Sequence, residues 1–236
     1  MPYRRLPNTD VARLRALQTA RRKGSMDNPF ELPYAQKWNL EIQAFLPQFQ
    51  QAVERYNYSK NQQAQTGKIL SDQFRMARLY ISHFIQVLNL CILRNEIKPT
   101  ARQFFGMDED DKSIPELTTE QQLLEWGEKV IKGEEQRAAS GGTRIYNPSI
   151  ALVKVKYEQF VFTYNTHKDQ QKITNRTHDK VSDMRNKADQ LILNIWNDIE
   201  AKFQELPSEN RRIKCTEYGI IYFLRKSEKE ELKEAK

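Results

Sequence analysis

Residues 49–66, FQQAVERYNYSKNQQAQT, recur 108 positions later as residues 157–174, YEQFVFTYNTHKDQQKIT. Gln51, Val53, Tyr56, Asn57, Lys60, Gln62, Gln63 and Thr66 return as Gln159, Val161, Tyr164, Asn165, Lys168, Gln170, Gln171 and Thr174. A repeat that keeps Tyr-Asn-x-x-Lys-x-Gln-Gln, and not merely apolar spacing, says that one structural unit is used twice. Each copy must hide its apolar stripe against something, and that requirement restricts the fold more than any other feature.

In the first copy Ile42, Phe45, Phe49, Val53 and Tyr56 step by three and four residues, the spacing of one helix face, continued at polar Lys60 and Gln63. Pro47 lies inside this pattern and predicts a kink, a break, or a helix that begins near Leu46. Gly67 reads as a hairpin turn, after which Leu70, Phe74, Ala77, Ile81, Phe84, Leu88 and Cys91 form a returning stripe that stops before Pro99. The second copy repeats this with Val153, Tyr157, Phe160, Tyr164, Lys168 and Gln171, then Met184, Ala188, Leu191, Ile195, Ile199 and Phe203, ending before Pro207. Matching Ala77 with Ala188 and Ile81 with Ile192 requires about three extra residues near Thr174–His178.

Two antiparallel helical hairpins, each with one stripe, bury most when packed together. The expected fold is therefore all-α: a four-helix bundle of two repeated antiparallel hairpins with pseudo-twofold symmetry. Its expected organisation is a basic arm with a short helix at 1–37, a bundle at 38–206 (repeat one 38–97, linker 98–147, repeat two 148–206) and a tail at 207–236. The linker should hold a further helix around Leu117, Leu123, Leu124, Trp126, Val130 and Ile131, then a flexible AASGGT run at 138–143.

In the arm, Asn8, Thr9 or Asp10 caps a helix whose face carries Val11, Leu14 and Leu17, and Gly24 ends it. Phe30, Leu32 and Tyr34 should anchor the following connector. In the tail, Ile213 and Cys215 against Ile220, Tyr222 and Leu224 around Tyr218-Gly219 read as a short C-terminal β-hairpin. A lone hairpin is marginal, so it should lie on the bundle or pair with residues 102–107. The final SEKEELKEAK should be solvated.

The net charge is +7, and it is not spread evenly. Residues 38–206 hold as many acidic as basic side chains, and the only cluster is in the arm: Arg4, Arg5, Arg13, Arg15, Arg21, Arg22 and Lys23. These are the candidate phosphate contacts if the chain binds nucleic acid, joined by Arg211, Arg212, Lys214, Arg225 and Lys226 in the tail. No run of about 18–20 apolar residues is present and the N-terminus lacks a secretory stretch, so a cytoplasmic location and no membrane partner are expected. Cys91 and Cys215 fit two buried thiols, with a disulfide between them left open.

The chain lacks the paired Glu-x-x-His of di-iron bundles, a phosphate loop and a nucleophile elbow. His83 borders the apolar stripe and reads as a partly buried structural residue. No metal, cofactor or catalytic residue is assigned. The acidic run Asp108–Asp111 lacks calcium-loop spacing. Tyr56, Asn57, Lys60, Gln63, Tyr164, Asn165, Lys168 and Gln171 form the one candidate ligand site. Two ammonium groups on converging interior stripes would have to meet an anion or reach water. The alternative is that the hairpin ends protrude, with lysine stems lying over aromatic rings.

The segments MPYRRLPNTDVARLRAL and CTEYGIIYFLRK resemble those of an uncharacterised all-helical family found in Bacteroidetes. The resemblance implies a cytoplasmic bacterial protein and carries over no functional residue. The leading expectation is a non-enzymatic scaffold or interaction protein that meets a protein partner, through a hairpin end, the N-terminal arm or the tail hairpin, or itself. Nucleic-acid association through the arm, and a small anionic or polar ligand at the duplicated patch, are the alternatives.

Overall fold

The computed structural model describes residues 3–28 and 30–223. Leu224, Arg225, Lys226 and the charged tail lie outside the described residues. Among the described residues the fold is all-α apart from one pair of two-residue strands. Its elements are β1 (Tyr3–Arg4), α1 (Asp10–Met26), α2 (Gln36–Leu93), a 3-10 helix (Pro99–Phe105), α3 (Glu120–Ala139), α4 (Ile150–Lys202), α5 (Ser208–Glu217) and β2 (Tyr222–Phe223).

The expected hairpins are absent. α2 runs without interruption through Pro47 and Gly67, and α4 runs through Thr174–His178. A single glycine weakens a helix interior by about 1 kcal/mol relative to alanine. That is too little to stop a helix flanked by Gln62, Gln63, Ala64, Gln65 and Lys68. The three extra residues of the second copy are taken up inside a continuous helix, where an insertion of three overwinds the stripe without needing a loop.

The chain divides into two compact units, residues 1–59 with 174–236 and residues 60–173. Each has its own core. In the first unit, Ile42, Phe45, Phe49 and Val53 of α2 pack with Ala188, Ile192, Trp196 and Ile199 of α4, and α1 adds Ala16, Leu17 and Ala20. Thr9 caps α1 by accepting from the Ala12 amide at 3.2 Å. Val11 is exposed, so the inward face of α1 is centred one step further round than its Val11-Leu14-Leu17 spacing suggested.

Gly24 does not end α1. It lies inside the helix, where the absence of a Cβ leaves room for the Tyr34 hydroxyl, 2.3 Å from where one would sit, to donate to the Ala20 carbonyl at 2.8 Å. Tyr34 and Leu32 thus anchor the connector, whereas Phe30 is 96% exposed and anchors nothing.

The C-terminal β-hairpin is also replaced. Residues 208–217 form α5, with Glu209 in its first turn and Lys214 in its last, charges that suit the helix dipole. Cys215 and Tyr218 point inward three residues apart, and Ile213 faces solvent. Gly219, at φ +91°, turns the chain so that β2 pairs antiparallel with β1, Tyr3 opposite Phe223 and Arg4 opposite Tyr222. Residues 102–107 form no strand, since the 3-10 helix runs to Phe105 and Gly106 closes it.

In the second unit, Leu70, Ala77, Ile81, Phe84, Leu88 and Ile92 of α2 meet Val153 and Phe160 of α4, with Leu123 and Val130 of α3. A capping box of Thr119 and Gln122 starts α3, which is longer than its apolar residues suggested. The 138–143 run is pinned rather than free. Arg137 donates twice to Glu134 at 2.7 Å and once to the Thr143 carbonyl at 2.6 Å, and both charged side chains are buried.

Candidate functional site

Of the duplicated polar residues, Tyr56 and Asn57 belong to the first unit and Lys60, Gln63, Tyr164, Asn165, Lys168 and Gln171 to the second. In the second unit, where α2 and α4 run side by side, the Thr66 hydroxyl lies 3.0 Å from His167 Nδ1 and Gln171 Nε2 lies 3.1 Å from His167 Nε2. A neutral imidazole with its proton on Nδ1 satisfies every group: Gln171 donates to Nε2, Nδ1 donates to Thr66, and Thr66 donates to the Gln63 carbonyl at 3.1 Å. Both ring nitrogens are therefore engaged within the protein. Tyr164 packs against Phe160, and the Lys168 ammonium lies 5.3 Å from the Tyr164 ring centroid. Lys60 and Asn165 are exposed.

In the first unit the Thr174 hydroxyl donates to the Ser59 carbonyl at 3.2 Å, and the hydroxyls of Ser59 and Thr177 are 2.8 Å apart. Tyr56 meets His178 edge-on at 5.3 Å, and Asn57 is exposed. Of the eight candidate residues, Tyr56, Gln63, Tyr164, Lys168 and Gln171 are half-buried and the other three face solvent. The Lys168 ammonium thus has a cation–π partner in the Tyr164 ring, whereas Lys60 is exposed. His167, which links α2 to α4, was not singled out from the sequence. Its signal was the repeated Thr66 and Thr174, side chains that capture a polar partner on the facing helix. His83, expected to be partly buried, is exposed.

The arm is folded into the first unit, and several of its charges are taken. Arg13 binds both oxygens of Asp189 at 2.7 and 2.9 Å, and Arg185 binds both oxygens of Asp10 at 2.8 Å. That hydrogen bond from Arg185, helped by Arg13 and opposed by desolvation, holds the Asp10 carboxyl below the usual range. Arg4 pairs with Glu200 at 2.9 Å, Lys23 with Glu217 at 3.9 Å, and the Arg5 guanidinium lies over Phe223. Arg15, Arg21 and Arg22 are exposed.

The second unit also holds a cleft of about 620 Å³ whose walls include Leu90, Leu93, Asn89, Arg102, Lys112 and Ile114. Arg102 is 2% exposed. Its guanidinium donates from Nε and Nη2 to Asn89 Oδ1 and from Nη1 to the Glu109 carbonyl, all neutral acceptors. Asn89 in turn donates to the Lys112 carbonyl at 3.2 Å. Arg102 thus clasps the acidic loop that forms one wall. Within that loop Ser113 holds the Asp111 carboxyl low, with a lesser pull from Arg102.

Both cysteines are free and buried, and desolvation raises both thiol pKa values, foremost among the causes. Among the described residues no group of three His, Cys, Asp or Glu side chains is placed to hold a metal ion. α2 contains an 18-residue stretch of mean hydropathy 1.4 of which 39% is buried, so this helix is apolar on more than its core face. Comparison of the chain with protein-family models, with curated proteins and with solved structures finds no match in any of the three.

Proposed function

We propose that the chain is a duplicated helical scaffold without catalytic function, which binds a protein partner through the outer face of α2 in its second unit. The duplication is of long helices and not of hairpins. With an offset of 108, Thr66 corresponds to Thr174 and His167 to Ser59, and each pair bonds across α2 and α4 within its own unit. Beyond that point the offset is 111: Leu70, Ala77, Ile81, Phe84, Ile85 and Leu88 correspond to Val181, Ala188, Ile192, Ile195, Trp196 and Ile199, and every one of these is buried.

The carrying observation lies on the opposite face. Ile69, Leu79, Leu90 and Leu93 are 52, 57, 50 and 72% exposed. Their counterparts in the first unit are Lys180, Gln190, Ala201 and Gln204, all exposed as well. The same scaffold therefore folds with polar or small residues at these positions, so folding does not demand leucine there. Exposed apolar residues that share one helix face beyond what folding needs support reading that face as an interaction surface.

The nucleic-acid reading is weakened by the carboxylates that engage Arg4, Arg13 and Lys23. A ligand at the duplicated patch is weakened by the exposure of Lys60, Asn57 and Asn165. The engaged ring nitrogens of His167 speak against acid–base work there. Buried free thiols suit a reducing cytoplasmic setting.

The test copies the first unit's surface onto the second, in a variant carrying Leu79→Gln, Leu90→Ala and Leu93→Gln. Crosslinking in lysate from the source cell should give a specific crosslinked species with the native chain that the folded variant loses. Identical crosslinks from both chains would defeat the proposal.

A further inference from the structure

The cleft of the second unit holds a buried cation whose hydrogen bonds all end on neutral acceptors. Arg102 is 2% exposed; Asn89 Oδ1 accepts from its Nε and Nη2, and the Glu109 carbonyl accepts from its Nη1. A guanidinium carries five N–H donors, so one on each Nη is left over. Among the described residues no carboxylate forms an ion pair with Arg102. Asp111 acts on it only through space, its own Oδ1 accepting from the Ser113 amide at 2.8 Å. A charge removed from water is normally met by an opposite charge. The buried part of the cleft therefore has both the donors and the charge to hold a carboxylate.

The remaining lining restricts what else a ligand can carry. Glu109, Asp110 and Lys112 line the same cleft, and all three are exposed. Two cations and two carboxylates thus face one space. A simple anion would meet Arg102 together with both carboxylates, and a simple cation would meet the buried guanidinium. A zwitterion avoids both conflicts, with its carboxylate on the deep cation and its ammonium on the exposed acidic loop. Glu109 Oε1 already accepts from Gln103 at 2.8 Å, whereas Asp110 has no hydrogen bond or ion pair among the described residues and is the freer acceptor. Leu90, Leu93, Pro99 and Ile114 supply apolar wall. At about 620 Å³ the cleft falls within the range of small-molecule sites, roughly 300–1,000 Å³.

We infer that this cleft binds a zwitterion with an apolar body, an apolar amino acid or dipeptide, whose carboxylate meets Arg102 and whose ammonium meets Asp110 with Glu109. Leu90 and Leu93 are shared with the face offered to a protein partner, but the three charged residues are not.

Leucine and leucyl-leucine, titrated calorimetrically into the full chain, distinguish the two sources, and at least one should bind saturably. For the one that binds, N-acetylation of the amine or amidation of the carboxyl should each weaken binding by about tenfold or more, the loss expected of a charge-assisted hydrogen bond. Arg102→Gln should remove the preference for the free carboxyl. Because that substitution also loosens the clasp on the acidic loop, Glu109→Gln/Asp110→Asn supplies a second reading. It should remove the preference for the free amine and keep that for the free carboxyl, a split that a misfolded cleft would not give. No saturable binding of either probe at millimolar concentration would overturn the inference. So would equal binding of free and blocked forms, or native affinity in either variant. Each of these results leaves the crosslinking test of α2 unaffected, since none of the altered side chains belongs to its outer face.

Discussion

Replacing Gly67 with alanine tests the continuity of α2 directly, because the sign of the effect depends on the backbone. Gly67 is not among the glycines with positive φ, and it lies inside the helix. Glycine in a helix interior is about 0.8–1.0 kcal/mol less favourable than alanine. A Cβ at this position would meet His167 Cε1 at 3.4 Å and Nδ1 at 3.9 Å, ordinary contact at the edge of close packing. The net expectation for Gly67→Ala is a gain of about 0.5–1 kcal/mol, or roughly 1–4 °C in Tm for a chain of this size. Were the chain to turn here with a left-handed glycine, alanine would instead cost about 1 kcal/mol or more. Gly24→Ala supplies the contrast, because the same propensity gain meets a Tyr34 hydroxyl at 2.3 Å and Asn39 Oδ1 at 2.9 Å. Overpacking of that kind costs about 1–3 kcal/mol. Urea unfolding followed by far-UV circular dichroism measures both variants. A Gly67→Ala variant less stable than the native chain by about 1 kcal/mol would refute the continuous helix.

Removing one partner of the buried Glu134–Arg137 pair should be severe, about 3–5 kcal/mol for Arg137→Met, while Glu134→Leu/Arg137→Met should recover most of the loss; equal stability of the single and double variants, read by urea unfolding, would contradict this. The lowered carboxyl of Asp10 contributes stability that is complete above the usual aspartate pKa near 4 and is lost as pH falls through the depressed folded value. The stability gap between the native chain and Asp10→Asn should therefore be widest near neutrality and shrink at about pH 3, and a gap constant with pH would rule out the assignment. Cys91 and Cys215, buried and with raised pKa values, should react with a thiol-directed disulfide reagent far more slowly in the native state than in denaturant. Rapid native-state labelling of either would show that its cover opens.

The apolar stripes were legible because a three-four spacing reports which side of a helix is buried whatever lies beyond its ends. Ile42, Phe45, Phe49 and Val53, and Leu70, Ala77, Ile81, Phe84 and Leu88, are buried as that spacing implies, with Phe74 half-buried. Whether the helix stops between them was not legible, since the same stripes suit a hairpin at Gly67 or one helix whose halves enter different cores. α5 was misread because Ile213 and Cys215 alternate like strand residues, while the spacing that matters, Cys215 to Tyr218, is helical. For the polar patch, continuing the stripe gave either an interior anion site or protruding hairpin ends, and Tyr164, Lys168 and Gln171 are half-buried. It could not supply His167, whose role depends on which residue of the facing helix stands opposite, a fact set by antiparallel register and not by local sequence.

The division of the chain also bears on its synthesis. The second unit is one uninterrupted stretch, 60–173, whereas the first is assembled from both ends, 1–59 and 174–236. The second unit already closes long separations, such as the 101 residues between Thr66 and His167, and joining the two ends of the first extends this to separations such as the 196 residues between Arg4 and Glu200. During translation Ile42, Phe45 and Phe49 emerge long before Ile192, Trp196 and Ile199 exist to cover them. The nascent chain therefore carries an uncovered apolar helix face for the whole time the second unit is being made. That makes the first unit the last to close and the segment most in need of a chaperone, which pulse proteolysis of chains arrested at residue 173 would reveal.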